Sequence, residues 1–287
     1  MEERFRYTYR AVAFLDVLGF ENKLIDFEKE AFSYHENQIE DENDEENFIE
    51  KQEYEKVYYS KKANEFIDIF NSAISKLDKE KFRYFLFSDN ICITVENINS
   101  NGEKSLIELL LIISELYYEF VQQGYFLRGG IDYGLFIDKS SIALGIPLVE
   151  AYKLESKHAV FPRILLSSNF IKQLEEYPSE GVHEFTSFLA SSLVQRSCEI
   201  QYLNVFNHIF KVEDKENFFE RYNHNICQNL SKSKHTENIF LKYRWLADEF
   251  NSFIESYTTK LAYMDENHEV TDEFINNVKQ LTIQNGQ

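Results

Sequence analysis

A ten-residue stretch near the N-terminus, AVAFLDVLGF at 11–20, does most to limit how this chain can fold. It is apolar up to one acid, Asp16, and breaks at Gly19-Phe20. A short continuous run of this kind reads as a strand buried on both faces, here over 10–17. A carboxylate at the end of such a strand needs a partner. A second acid in comparable surroundings is Asp89, within FRYFLFSDNICITVE. There 82–87 and 91–95 read as strands on either side of the turn-forming Ser88-Asp89-Asn90.

The segments between supply the order of elements. A helix begins over 20–27, and an acidic insert (about 30–60) follows; its core, 36–55, carries ten Asp or Glu and one Lys, the composition of a solvated excursion. From 61 a helical period places Ala63, Phe66, Ile67, Phe70, Ala73, Ile74 and Leu77 on one face. Residues 99–104 read as a loop, Ser105 as the cap of a long helix to about 122, and Gly124 as its stop before a strand over 125–136. Strand, helix, hairpin, helix, strand is the ferredoxin-like βαββαβ plan of an α+β fold. In that plan the first and third strands are antiparallel neighbours, so Asp16 and Asp89 should meet.

Farther on, 141–144 is a short apolar piece and 147–156 a helix. A strand over 163–166, a helix over 169–176 and a late strand over 203–206 follow. The chain then becomes polar and helical. We divide it into a main domain, 1–211, and a helical C-terminal extension, 212–287.

Composition excludes several classes. A net charge of −19 over 287 residues makes nucleic acid an unsuitable partner, although a small polyanion is compatible if a divalent cation neutralises it. Three widely spaced cysteines, Cys92, Cys198 and Cys227, form neither a disulfide framework nor a zinc site, and the histidines lack metal-ligand spacing. The most apolar segment, 106–121, contains Glu108, Glu115 and Glu119, which argues for a core helix and against a membrane span. With no apolar signal core in the first ten residues, the expected compartment is the cytoplasm.

Two convergent carboxylates are costly unless a cation holds them together. Oxygen-only ligation points to Mg²⁺ or Mn²⁺. Two such ions can activate a hydroxyl and neutralise a triphosphate. The turn at Gly19 and Phe20 would offer backbone N–H groups to phosphate. Each aspartate taken alone is better read as a helix cap or a turn residue; the pair on this topology makes the metal site.

Four motifs resemble, in order, those of the class III nucleotidyl cyclases: FLDVLGF at 14–20, FSDN at 87–90, LRGGIDYG at 127–134 and GIPLVEAYKLES at 145–156. The resemblance implies two metal ions per site on Asp16, Asp89 and the Val17 carbonyl. It also implies head-to-tail homodimers with active sites at the interface. Where the purine cyclases place polar base-reading residues this chain has Phe85 and Ile142, and where they place a ribose Asn and a transition-state Arg it has Val149 and Lys153. Lysine keeps the charge but not the fork of arginine.

These departures, with AYKLE at 151–155 and KYRWL at 242–246, are similar to the pyrimidine cyclases of bacterial Pycsar anti-phage systems. The expectation is therefore conversion of UTP, or CTP, to the 3′,5′-cyclic monophosphate and pyrophosphate, with the product activating a separate effector protein. Asp16, Asp89 and Lys153 would be catalytic, the lysine acting from the opposite protomer, and Gly19, Phe20, Phe85 and Ile142 would bind substrate. Arg128 is read as a structural ion-pair partner before a phosphate contact. The rivals are a catalytically silent, nucleotide-binding relative and a purine cyclase with unusual base recognition.

Overall fold

The computed structural model describes residues 6–43, 58–96, 102–139, 141–176, 192–264 and 272–284. Two compact units make up the chain: residues 19–76, and residues 1–18 together with 77–287.

The larger unit is built on eight strands among the described residues: β1 (Thr8–Val17), β2 (Phe82–Phe87), β3 (Asn90–Glu96), β4 (Leu127–Lys139), β5 (Ile142–Gly145), β6 (Ile164–Leu166), β7 (Val194–Ser197) and β8 (Ile200–Leu203). Their order is β2-β3-β1-β4-β6-β8-β7, with β5 folded back on β4. The first four lie in the ferredoxin-like order, and β1 runs antiparallel to both β3 and β4. The fold class is α+β, as expected. β1 is central, and Ala11, Val12, Ala13 and Leu15 are fully buried, which is why the run lacks polar alternation.

Helix α3 (Gly102–Gln122) buries Leu106, Leu109, Leu110, Ile113 and Tyr117 along one stripe. Ser105 was expected as its cap but lies inside the first turn, because the helix already starts at Gly102. Glu103 and Lys104 favour helix, which extends the element past the serine. Gly124, at φ +79, ends it in the left-handed conformation. The expected strand over 203–206 is instead β8, ending at Leu203, and a tight 3₁₀ turn (Val205–Lys211) follows. Its hairpin partner β7 was not anticipated, since VQRS has no apolar alternation.

After α4 (Ile146–Lys153) and α5 (Ser168–Glu175), the C-terminal helices α6 (Lys215–Ser233), α7 (Glu237–Met264) and α8 (Asp272–Gln280) belong to the same compact unit as the sheet. Aromatic contacts attach them. Tyr118 of α3 lies 4.8 Å from Phe218 of α6 and 5.9 Å from Tyr222. Trp245 of α7 stacks on Phe161 at 5.1 Å, and the buried Arg163 guanidinium lies 5.4 to 5.5 Å from Phe161, Tyr202 and Trp245.

The smaller unit holds α1 (Phe20–Asn43) and α2 (Lys61–Ser75). Phe20, Phe27, Phe66 and Phe70 form its aromatic core, with Phe20 and Phe66 4.5 Å apart. Ser60 caps α2, accepting from the Ala63 N–H and donating to Glu30. The acidic run, expected to leave the fold as an excursion, begins as the last turns of α1, because glutamate and glutamine favour helix. Its remainder, 44–57, lies outside the described residues, as do 99–101 of the expected loop.

Candidate active site

Strand register settles where the two aspartates stand. On β1, Asp16 is opposite Asn90 of β3 and opposite Arg128 of β4. Asp89 immediately precedes Asn90, in a turn tightened by Ser88 at φ +58. The two carboxyls come close enough to share a hydrogen bond. Each is partly buried, and the two interact with each other.

Arg128 completes the group. Its Nε donates to Asp16 Oδ2 at 2.8 Å, and its Nη2 stands 2.8 Å from Glu155 Oε1. The second contact is an ion pair without hydrogen-bond alignment. Glu155, almost wholly buried, was not anticipated as a site residue. It lies where α4 (Ile146–Lys153) widens into a π-turn (Leu154–His158), closed by the Ala159 N–H on Leu154 O. Such an extra residue in a helix re-aims the side chains after it, and sequence pattern does not reveal it.

Gly130 lets this helix settle. A Cβ there would stand 2.4 Å from Ala151 O and 2.5 Å from Leu154 Cβ, so any larger residue would push α4 and its π-turn off β4.

Two acids, Asp16 and Glu155, therefore hold one guanidinium, and Asp89 stands beside Asp16. Burial raises the Asp89 carboxyl, and the hydrogen bond and charge of Asp16 push it further, to about 6. Burial also raises Asp16 and Glu155, with Arg128 pulling both back. Lys242 of α7, a second residue missed beforehand, lies half-buried within electrostatic reach of Asp16 and Arg128. Burial and Arg128 lower its ammonium, and Asp16 opposes them.

The other expected residues are distributed unevenly. Val17 is buried opposite Leu127, one position past Asp16. Phe85 is opposite Cys92 on β3, packed against Val12, Phe14, Cys92, Phe136 and Ala151. Ile142 is exposed and pairs with Lys139, eleven residues along β4 from Arg128, or roughly 35 Å of strand. Lys153 is half-exposed and pairs with Glu150 at 2.7 Å. The fold thus brings Asp16, Asp89 and Val17 together with Arg128 and Glu155, it leaves Ile142 far along β4 from them, and it turns the Lys153 ammonium to Glu150. Gly19 adopts φ +73, and the Phe20 ring is buried in the core of the smaller unit. A buried ring is a structural contact, so only the backbone of Phe20 remains a candidate for substrate.

Among the described residues, no group of three or more Asp, Glu, His or Cys is arranged to hold a metal by itself. Two crowded aspartates nevertheless suit a hard divalent cation that completes its shell from phosphate and water, as Mg²⁺ commonly does. Such a cation would displace the proton that the pair is otherwise driven to keep.

No protein-family model and no curated protein sequence matches the chain. Among solved structures it is similar to the guanylyl cyclase Cya2 (9% identity, TM-score 0.38, covering 70% of this chain and 93% of that one). It is also similar to a bacterial light-regulated adenylyl cyclase (11% identity, TM-score 0.38, 77% of this chain and 99% of that one). A third is the catalytic core of a rhodopsin-guanylyl cyclase with converted specificity, in complex with ATPαS (10% identity, TM-score 0.34, 61% and 90%). No helix among the described residues is long and apolar enough to cross a membrane.

Proposed function

We propose that this chain is a nucleotidyl cyclase of the class III type. Within that class we read it as a pyrimidine cyclase, taking UTP before CTP and making a second messenger for a separate effector in anti-phage defence. The observation that carries the proposal is the meeting of Asp16 and Asp89 at one strand end, beside Arg128.

In the reaction a bond forms from O3′ of the nucleotide to its own α-phosphorus, and the bond from that phosphorus to the β-phosphate bridge breaks. Pyrophosphate leaves, and the hydroxyl proton passes to water. Asp16, Asp89 and the Val17 carbonyl would hold Mn²⁺ or Mg²⁺, two ions per site, which when bound supply Lewis-acid charge at the hydroxyl and the phosphates. Arg128 fixes Asp16 Oδ2, so this ligand is oriented before substrate arrives. Phe85 offers the base an apolar surface without hydrogen-bonding groups, which suits a small ring better than a purine that must be read by its edges.

Lys153 is held on the exposed side of α4 and would serve the site of a second protomer. The face it shares supports that arrangement: Ile142, Leu144, Ile146, Val149 and Tyr152 are all exposed, Ile146 at 68%. The rival reading is a nucleotide-binding module without turnover, and the observation on its side is the 2.7 Å tie of Lys153 to Glu150.

The deciding experiment incubates the protein with Mn²⁺ and each of the four ribonucleoside triphosphates. Cyclic UMP or cyclic CMP with equimolar pyrophosphate is expected. Triphosphate binding without any cyclic product favours the rival, and cyclic AMP as main product sinks the pyrimidine assignment.

A further inference from the structure

We propose that Lys242, carried on helix α7, is a substrate-binding residue that contacts the outer phosphates of the triphosphate, so that the C-terminal helices form part of the active site. This rests on the nucleotide-cyclase reading above.

The placement is rigid. Tyr243, the next residue, packs its ring against Phe126 at 5.6 Å, two positions before Arg128. The carbonyl of Phe126 accepts from the Leu18 N–H at 2.8 Å, which closes β1 and β4 at the same end. One turn of helix is thus anchored where Asp16 and Arg128 meet, and Trp245 on Phe161 anchors the following residues. The packing of its neighbours Tyr243 and Trp245 thus fixes the backbone of Lys242 at this end of the sheet.

The charge arrangement points to an anion. The Lys242 side chain makes no hydrogen bond or ion pair among the described residues, although Asp16 is within electrostatic reach. Asp16 Oδ2 and Glu155 Oε1 are already paired with Arg128. A half-buried ammonium beside a guanidinium is costly, and a phosphate group joining both cations would repay it. In a chain of net charge −19, such a pair of cations is where a triphosphate can be drawn in.

The test measures binding of α,β-methylene-UTP, α,β-methylene-ATP and UMP, in Mn²⁺, to full-length wild type, Lys242→Ala and Lys242→Arg by calorimetry. Alanine is a good helix former, so α7 should persist, and thermal melting checks this. Loss of one charge-assisted hydrogen bond predicts about tenfold weaker binding of the better triphosphate analogue by Lys242→Ala, with UMP unaffected and arginine restoring most of the loss. The KM for turnover should rise while kcat changes little. Wild-type affinity in Lys242→Ala, or an equal loss for UMP and the triphosphate, overturns the assignment of Lys242 alone. A wild type that binds neither triphosphate overturns the parent reading and this one together.

Discussion

Arg128 and Asp16 face each other across β4 and β1 with Nε 2.8 Å from Oδ2, and the same guanidinium reaches Glu155 on the π-turn after α4. One cation thus ties a central strand to the helix that lies over the sheet. Removing it would leave two partly or fully buried acids without a counter-charge. Arg128→Ala should therefore cost on the order of 2–3 kcal/mol in urea unfolding, and Arg128→Lys, lacking the fork, should recover only part of it. Equal stability of Arg128→Ala and wild type would remove this pair from any structural role.

Asp89 has a pH signature. Its carboxyl, raised by burial and then by Asp16 to about 6, lies above the value of about 4 in an unfolded chain. Between those values the folded state binds more protons, so stability falls as pH rises through the window. Asp16, Asp132, Asp138 and Glu155 are raised by burial too and act in the same direction. Metal-free protein should melt higher at pH 5 than at pH 7. Asp89→Asn should flatten part of that difference and abolish turnover. An unchanged melting profile together with an unchanged rate would exclude Asp89 from the site.

Gly130 is a packing requirement with a chemical consequence. Gly130→Ala places a methyl within 2.4 Å of Ala151 O, so α4 must move and take Glu155 with it. We expect a loss of about 1–3 kcal/mol, measured by urea unfolding, and a larger proportional loss of turnover. A variant that is destabilised but fully active would show that the position of Glu155 does not matter to the chemistry.

Phe85 tests base selection. Phe85→Ala vacates the surface beside Cys92 and Phe14, and the ratio of kcat/KM for UTP over ATP should fall roughly tenfold in competition assays. A ratio that does not move assigns Phe85 to the core alone.

The exposed side of β5 and α4 tests assembly. Ile146→Asp, at the most exposed apolar residue of that face, should shift the protein toward monomer in sedimentation experiments and depress turnover with it. A monomeric, fully active Ile146→Asp would rule out a site completed by a second copy.

Much of the scaffold was legible in the order of residues. The apolar run 11–15 reads as a strand covered on both faces, and the spacing of the hairpin and of α3 follows from periods of two and 3.6. Those periods sufficed to place Asp16 beside Asp89, because the strand order of the plan dictates which ends are neighbours. They also suggested Arg128 as an ion-pair partner, though not whose. Glu155, Lys242 and the first turn of α3 were beyond their reach. A π-turn, an aromatic contact between Tyr243 and Phe126, and a helix start without a strong cap depend on contacts that no local pattern encodes. Residue order alone indicated that Asp16 and Asp89 would meet at one strand end. Only the tertiary structure decided which cations answer them, since burial and the docking of distant helices set the local charge balance.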